Sequence, residues 1–89
     1  MVTLPFWMLQ RQIKAENVND MTLRLVAPNL PTYEISVMPL PTGPGWRVAV
    51  DRLNADGGRV PVVYTETPFD KVEGAWQAGF ELYRQRVIV

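Results

Sequence analysis

The chain of 89 residues contains no cysteine and no histidine. Without cysteine it has no disulfide framework, no thiolate nucleophile and no sulfur ligand for a metal. Without histidine it lacks the commonest general base and the commonest transition-metal ligand in proteins. These two absences exclude histidine-dependent catalytic triads and ordinary zinc sites, and they leave the packing of apolar side chains as the source of stability.

The sequence also has no excess of charge of either sign, because nine Lys and Arg residues are balanced by nine Asp and Glu residues. A neutral chain lacks the general attraction that draws basic proteins to nucleic acid or to anionic membranes, so any such site would have to be local. The apolar run at residues 4–9 is too short to cross a bilayer and lacks the features of a secretory signal. We expect a cytoplasmic protein without a membrane partner.

Apolar residues are frequent enough for one small core. Hydrophobic residues make up 47% of the chain and charged residues 20%, which are values typical of globular proteins. A chain of this length forms a single domain. We expect an N-terminal apolar segment or short helix within residues 1–20, antiparallel strands within residues 21–66, and a helix over residues 70–87.

The strongest helical pattern lies at the C-terminal end, where apolar residues recur at the spacing of one helix face. The residues on this face are Val72, Trp76, Gly79, Phe80, Tyr83 and Val87. Asp70 is predicted to cap the helix, with Glu73 completing a capping box. We expect a sheet to cover the aromatic side chains, with Trp76 among the most buried residues. Gly79 lies within the apolar face, where a missing side chain lets the helix approach the sheet closely, whereas Gly74 lies on the polar side.

Segments that alternate apolar and polar residues predict strands at 33–39, 46–53 and 59–66, with a fourth at 21–26. Turns rich in Pro, Gly, Asn and Asp separate these segments. Neighbours in sequence usually pair antiparallel when the turns between them are short. The fold prediction is therefore α+β: a three- to four-stranded antiparallel meander with a long C-terminal helix packed on one face and a short N-terminal helix.

The N-terminal helix is predicted over residues 4–16, capped by Thr3 and followed by a turn at residues 17–20. Phe6, Leu9 and Ile13 form its apolar stripe. Trp7 and Met8 then lie off that stripe, so this helix would be apolar on more than one side.

Apolar side chains at both ends of the chain exceed what one small core readily absorbs, and exposed apolar patches usually mark partner surfaces. The candidate partner-binding residues are Phe6, Trp7, Met8, Val87, Ile88 and Val89. They predict a non-enzymatic protein-interaction module, of adaptor or inhibitor type, that binds another protein or a second copy of itself. The alternative is that the two ends of the chain pack on each other across the sheet.

No pattern of catalytic or ligand-binding residues accompanies these features. The turn at residues 54–58 lacks the ligand spacing of a calcium loop, and residues 43–45 lack the features of a phosphate-binding loop. Ser36 is the only serine, and no histidine is present to activate it. We therefore expect no enzyme activity, no cofactor and no metal.

A second hypothesis concerns the face of the sheet opposite the helix. In layout the chain resembles the AP2 and integrase N-terminal domains, which read the DNA major groove with the open side of a three-stranded sheet. The resemblance covers roughly residues 33–85 and depends on the segment at 46–50, the Gly57-Gly58 turn, and Phe69 followed by an alanine-rich helix. We treat it as a likeness of architecture, since the neutral charge departs from that of DNA-binding proteins. The hypothesis itself comes from the arginines predicted on or near the open face of the sheet, and its candidate nucleic-acid residues are Arg24, Arg47, Arg52 and Arg59.

Overall fold

A computed structural model describes residues 4–65 and 68–88. The elements in chain order are α1 (Phe6–Gln10), β1 (Lys14–Asn19), β2 (Thr22–Val26), β3 (Tyr33–Pro39), β4 (Trp46–Leu53), β5 (Arg59–Tyr64) and α2 (Val72–Tyr83), followed by a π-helical turn at Arg84–Ile88. The strands lie in the order β1-β2-β3-β4-β5 and pair antiparallel. The predicted α+β meander is confirmed, with one strand more than expected.

The two central strands have the predicted bounds and form the centre of the core. Ile35 pairs with Val50 and Val37 pairs with Val48 across β3 and β4, and all four side chains are fully buried. Their alternation with polar residues places them on the face that α2 covers. The tight turn before β5 is also as predicted, because Gly57 adopts a φ of 88° there.

Helix α2 approaches this face so closely that Gly79 has no room for a side chain. A Cβ atom at this position would lie 2.6 Å from Ile35 Cγ2 and 2.8 Å from Val48 Cγ2. Trp76 is buried beside it and stacks on Phe80 with ring centroids 6.1 Å apart. The packing interpretation of Gly79 and the burial of Trp76 therefore agree with the sequence pattern.

The predicted start of this helix is corrected. The residue at the N-terminal cap is Lys71, which makes no side-chain capping hydrogen bond, so Asp70 and Glu73 do not form a capping box. The cause is a pair of backbone hydrogen bonds between Phe69 and Trp46, each 2.9 Å long. They hold the chain extended at Phe69 and delay the first helical turn to Val72.

The N-terminal part of the chain differs most from the prediction. The helix expected over residues 4–16 ends at Gln10, and Gln12 adopts a φ of 60° that breaks the helical path. The chain then reverses and forms β1, which includes most of the predicted turn at residues 17–20. The predicted cap, Thr3, lies outside the described residues.

Candidate interaction surfaces

Helix α1 exposes a different set of apolar side chains from the set that its sequence indicates. The side chain of Phe6 is 71% exposed and that of Leu9 is 60% exposed, whereas Met8 is fully buried. Trp7 is half-buried and stacks on Tyr83 of α2, with ring centroids 6.4 Å apart. Of the predicted stripe, Phe6 and Leu9 are therefore exposed and Ile13 is buried, while Met8, which was predicted to lie off the stripe, belongs to the core.

The direction of each α1 side chain follows from the helical rotation of about 100° per residue. Trp7 faces α2, and Met8, one step further around, faces the core. Leu9 is another step around and therefore points away from α2.

Strand β1 forms one edge of the sheet and is exposed along almost its whole length. Its residues pair with β2 from Lys14 opposite Val26 to Asn17 opposite Leu23 in regular register. No strand in the described parts of the chain pairs with its other side. The backbone groups of that side are therefore available to a further strand. Together, Phe6, Leu9 and this open edge of β1 are called the α1–β1 surface below.

The C-terminal candidates are less exposed than those of α1. Val87 and Ile88 are half-buried and pack against the core, while Val89 lies outside the described residues. The stacking of Trp7 on Tyr83 ties the N-terminal segment to the end of α2. This contact agrees in part with the alternative in which the two ends of the chain pack together.

A groove of about 660 Å³ lies between α2 and the turn that joins β1 to β2. Its apolar wall is formed by Trp46, Val72, Trp76 and Phe80, and carboxylates of Asp20 and Glu73 stand at its rim. The groove exists because α2 packs on β3 and β4 and leaves one end of β1 and β2 uncovered. No sequence pattern indicates it, since its walls come from distant parts of the chain.

The opposite face of the sheet carries a buried carboxylate between two arginines. The side chain of Glu34 is only 1% exposed. Arg24 donates hydrogen bonds of 3.0 and 3.1 Å to Glu34 Oε2, and Arg59 Nη2 lies 2.8 Å from Glu34 Oε1. The contact with Arg59 is an ion pair by distance, although Oε1 accepts no hydrogen bond from the described residues. This carboxylate neutralises much of the positive charge predicted for the face.

The other two arginines of the predicted nucleic-acid site lie on opposite faces of the sheet, Arg47 on the same face as Glu34 and Arg52 on the face of α2. Arg47 lies over the ring of Tyr64, with its guanidinium carbon 6.0 Å from the ring centroid. Arg52 pairs with Tyr33, so it belongs to the face that α2 covers. The structure therefore brings together Arg24 and Arg59, through Glu34, and places Arg52 on the other side of the sheet.

Four groups on the described residues have an altered pKa: Glu81 and Arg84, which pair with each other, and Asp51 and Tyr83. Burial is the main cause that raises the pKa of Asp51, with Arg59 acting in the opposite direction and Glu34 adding to the rise. Burial, and secondarily Tyr33, raises the pKa of Tyr83 to about 12.

Within the described residues, no group of three Asp or Glu side chains is placed to hold a metal ion. Every helix in residues 4–65 and 68–88 is too short or too polar to traverse a bilayer. Comparison of the chain with protein-family models, with curated proteins and with solved structures finds no match.

Proposed function

We propose that the chain is a small, non-enzymatic protein-interaction module and that its binding site is the α1–β1 surface. The observation that carries the proposal is the exposure of Phe6 and Leu9 on α1, together with the unpaired sheet edge at β1, the strand that follows α1 in the chain. When a partner covers large apolar side chains that are this exposed, the free energy of the complex falls relative to that of the separate molecules. The edge strand adds backbone hydrogen bonds that a partner strand can complete.

The proposal uses only part of the predicted partner-binding set. Phe6 and the exposed part of Trp7 remain available, and Leu9 is added to them. Met8 belongs to the core, where it supports α1 from below. Val87 and Ile88 stabilise the end of the chain against the core.

The arginines do not carry a second proposal, because Arg24 and Arg59 are already paired with Glu34 and Arg52 lies on the other face. Phosphate contacts through such a cluster would give an affinity that falls steeply with salt. We expect no change in fluorescence anisotropy when mixed DNA and RNA oligonucleotides are titrated with the protein at low salt. A salt-sensitive change would favour the nucleic-acid alternative.

Site-specific photocrosslinking in living cells tests the proposal. Phe6 is replaced by the photoreactive residue p-benzoylphenylalanine, and the matched control carries the same replacement at Tyr64, which is 55% exposed on the far strand β5. We expect an adduct with protein from position 6 and none from position 64. The adduct should be lost when Leu9→Asp is added, because a charge on the same surface opposes apolar contact.

Comparison with the control at position 64 also defines the results that would contradict the proposal. Adducts of equal yield from positions 6 and 64 would mean that both exposed positions crosslink through nonspecific encounters with other proteins and not through a binding site. The absence of any adduct from position 6 would likewise overturn the assignment of the α1–β1 surface.

A further inference from the structure

The two edges of the sheet differ in how they are protected. Strand β5 contains Pro61, and the register between β4 and β5 shifts beside Val50 and Asp51. Prolines and bulges are devices that prevent edge strands from pairing with other chains. Strand β1 contains no proline, and its register is regular from Lys14 to Asn17. The edge at β1 is therefore the better template for an additional strand.

The charges on β1 favour one particular partner strand. Lys14 and Glu16 lie two residues apart, so both side chains point to the same face, and both are exposed. In an antiparallel pair of identical strands centred on Ala15, Lys14 of each copy lies opposite Glu16 of the other. Opposite charges in this position stabilise strand pairing, and like charges destabilise it.

The other registers that keep the helices on one side of a joined sheet are less favourable. Centring the pair on Lys14 would place two lysines opposite each other, and centring it on Glu16 would place two glutamates opposite each other. Centring it on Asn17 would bring the register shift between Asn17 and Asn19 into the middle of the pair. Charge and regularity therefore select the register centred on Ala15.

From the α1–β1 surface we infer that the partner is a second copy of this chain, added antiparallel along β1 with Ala15 at the two-fold axis. This inference rests on the proposed function, because it names the occupant of the same surface. The two five-stranded sheets become one continuous sheet. The two α1 helices then lie on the same face on either side of the axis, and we expect the dimer to cover Leu9, which is exposed and points away from α2.

Charge reversal followed by sedimentation equilibrium tests the pairing. Each of K14E and E16K alone puts two like-charged pairs into the dimer, whereas the K14E/E16K double variant restores both opposite-charge pairs with their signs exchanged. We expect the dimer dissociation constant to rise by about tenfold or more in each single variant. The double variant should return to within about threefold of the wild-type value.

Because Lys14 and Glu16 are exposed, the single variants should keep the far-UV circular dichroism spectrum of the wild type. A second pair of variants tests the apolar contribution: L9S should weaken the dimer, and L30S, at an exposed leucine in the turn before β3, should not. Equal effects of the two serine variants would contradict the placement of Leu9 at the interface.

Disulfide trapping gives an independent measurement, since the chain has no cysteine of its own. Ala15→Cys places two thiols directly opposite each other at the proposed axis, at the separation that a disulfide requires. With diamide as the added oxidant, this variant should form a covalent dimer much faster than Ala55→Cys, which lies in an exposed turn. Equal rates for the two variants would overturn the register.

The outcomes separate this inference from the function on which it rests. A wild-type chain that is monomeric at all concentrations, while position 6 still crosslinks to a different protein, would refute self-pairing and leave the interaction function standing. A dimer whose dissociation constant is unchanged in both single charge variants would also refute it. Failure of position 6 to crosslink to any protein would remove both proposals together.

Discussion

Asp51 and Glu34 face each other on adjacent strands, and their carboxylates compete for the same arginine. They are directly opposite in the register of β3 and β4, where like charges are unfavourable. The raised pKa of Asp51 shows that burial and Glu34 together outweigh the attraction of Arg59. The ionised form of Asp51 therefore costs stability in the folded protein.

Replacing Asp51 with asparagine should increase the free energy of unfolding at neutral pH. A carboxyl group whose pKa is raised by folding stabilises the folded state only when it is protonated, and this contribution is lost as the pH rises through its folded pKa. The advantage of Asp51→Asn should therefore shrink as the pH falls through that raised pKa. Urea denaturation from about pH 7 down to about pH 3 measures the trend, with Asp70→Asn, at an exposed carboxylate, as control. A variant less stable than wild type at neutral pH would contradict the account.

Tyr83 is fully buried, and its hydroxyl has no hydrogen-bond partner among the described residues. A buried polar group without a partner costs about 1–3 kcal/mol, so Tyr83→Phe should leave stability unchanged or raise it by about 1 kcal/mol. The ring contacts with Trp7 and Tyr33 remain in the variant. Thermal denaturation at neutral pH measures the change, and a clear loss of stability would mean that the hydroxyl has a partner in solution.

The same tyrosine should give the protein a characteristic alkaline instability. Its pKa is about 12 in the folded state and 10.0 without burial, so the unfolded state ionises first as the pH rises. Stability should fall between about pH 10 and about pH 12, and Tyr83→Phe should reduce this fall. Urea titrations across this range measure it. A phenol absorbance that titrates entirely near pH 10 would show that Tyr83 is accessible to solvent.

At the scale of the elements, α2 contains two glycines for which the same substitution should have opposite effects. Gly79→Ala would put a methyl group 2.6 Å from Ile35 Cγ2, and overpacking of this kind costs about 1–3 kcal/mol. At Gly74 the nearest atoms to an added methyl belong to Phe69, 3.8 Å away. Gly74→Ala should therefore stabilise the helix by about 0.5–1 kcal/mol. Chemical denaturation of both variants tests the pair, and effects of the same sign would show that helix propensity or packing alone decides the outcome.

The elements that could be predicted from sequence are those with one buried and one exposed face. Strands β3 and β4 alternate at Tyr33–Met38 and Trp46–Asp51, and their bounds match the predicted 33–39 and 46–53. Strand β1 has no such alternation because almost all of its residues are exposed, so its sequence resembles a turn. An edge strand of this kind can be identified only when the strand that pairs with it is known.

The candidate surface was harder to predict than the fold, for a physical reason that concerns α1. The stripe of Phe6, Leu9 and Ile13 assumes a helix that continues to Ile13, but the chain leaves the helix after Gln10. Ile13 therefore reaches the core from a different direction, and Met8 fills the place assigned to Leu9. The burial of Glu34 on the opposite face likewise depends on two arginines from other strands, which no local pattern reveals.

At the scale of the whole molecule, one helix is too narrow to cover the sheet. Five strands spaced about 4.8 Å apart span about 19 Å, whereas a helix with its side chains is about 10 Å wide. Helix α2 packs on β3 and β4, and the five residues of α1 extend this layer only partly toward β1. The groove beside Trp76 is a consequence of this mismatch in width.

The same architecture makes the core depend on a few large side chains of α2. Trp76 is buried, stacks on Phe80 and lies beside the groove. Trp76→Ala should lower the free energy of unfolding by about 3–5 kcal/mol, which approaches the whole stability of a small domain. Sheet and helix should lose structure together, because both depend on the same contact.

Urea denaturation monitored by circular dichroism and by the fluorescence of the remaining tryptophans measures this loss. The matched control is Trp7→Ala, since Trp7 is half-buried and its removal should cost less. Coincident transitions at a much lower urea concentration are expected for Trp76→Ala. A Trp76→Ala protein that unfolds at nearly the urea concentration of the wild type, or at no lower concentration than Trp7→Ala, would mean that α2 does not hold the sheet. The groove would then separate two parts of the molecule that are stable independently.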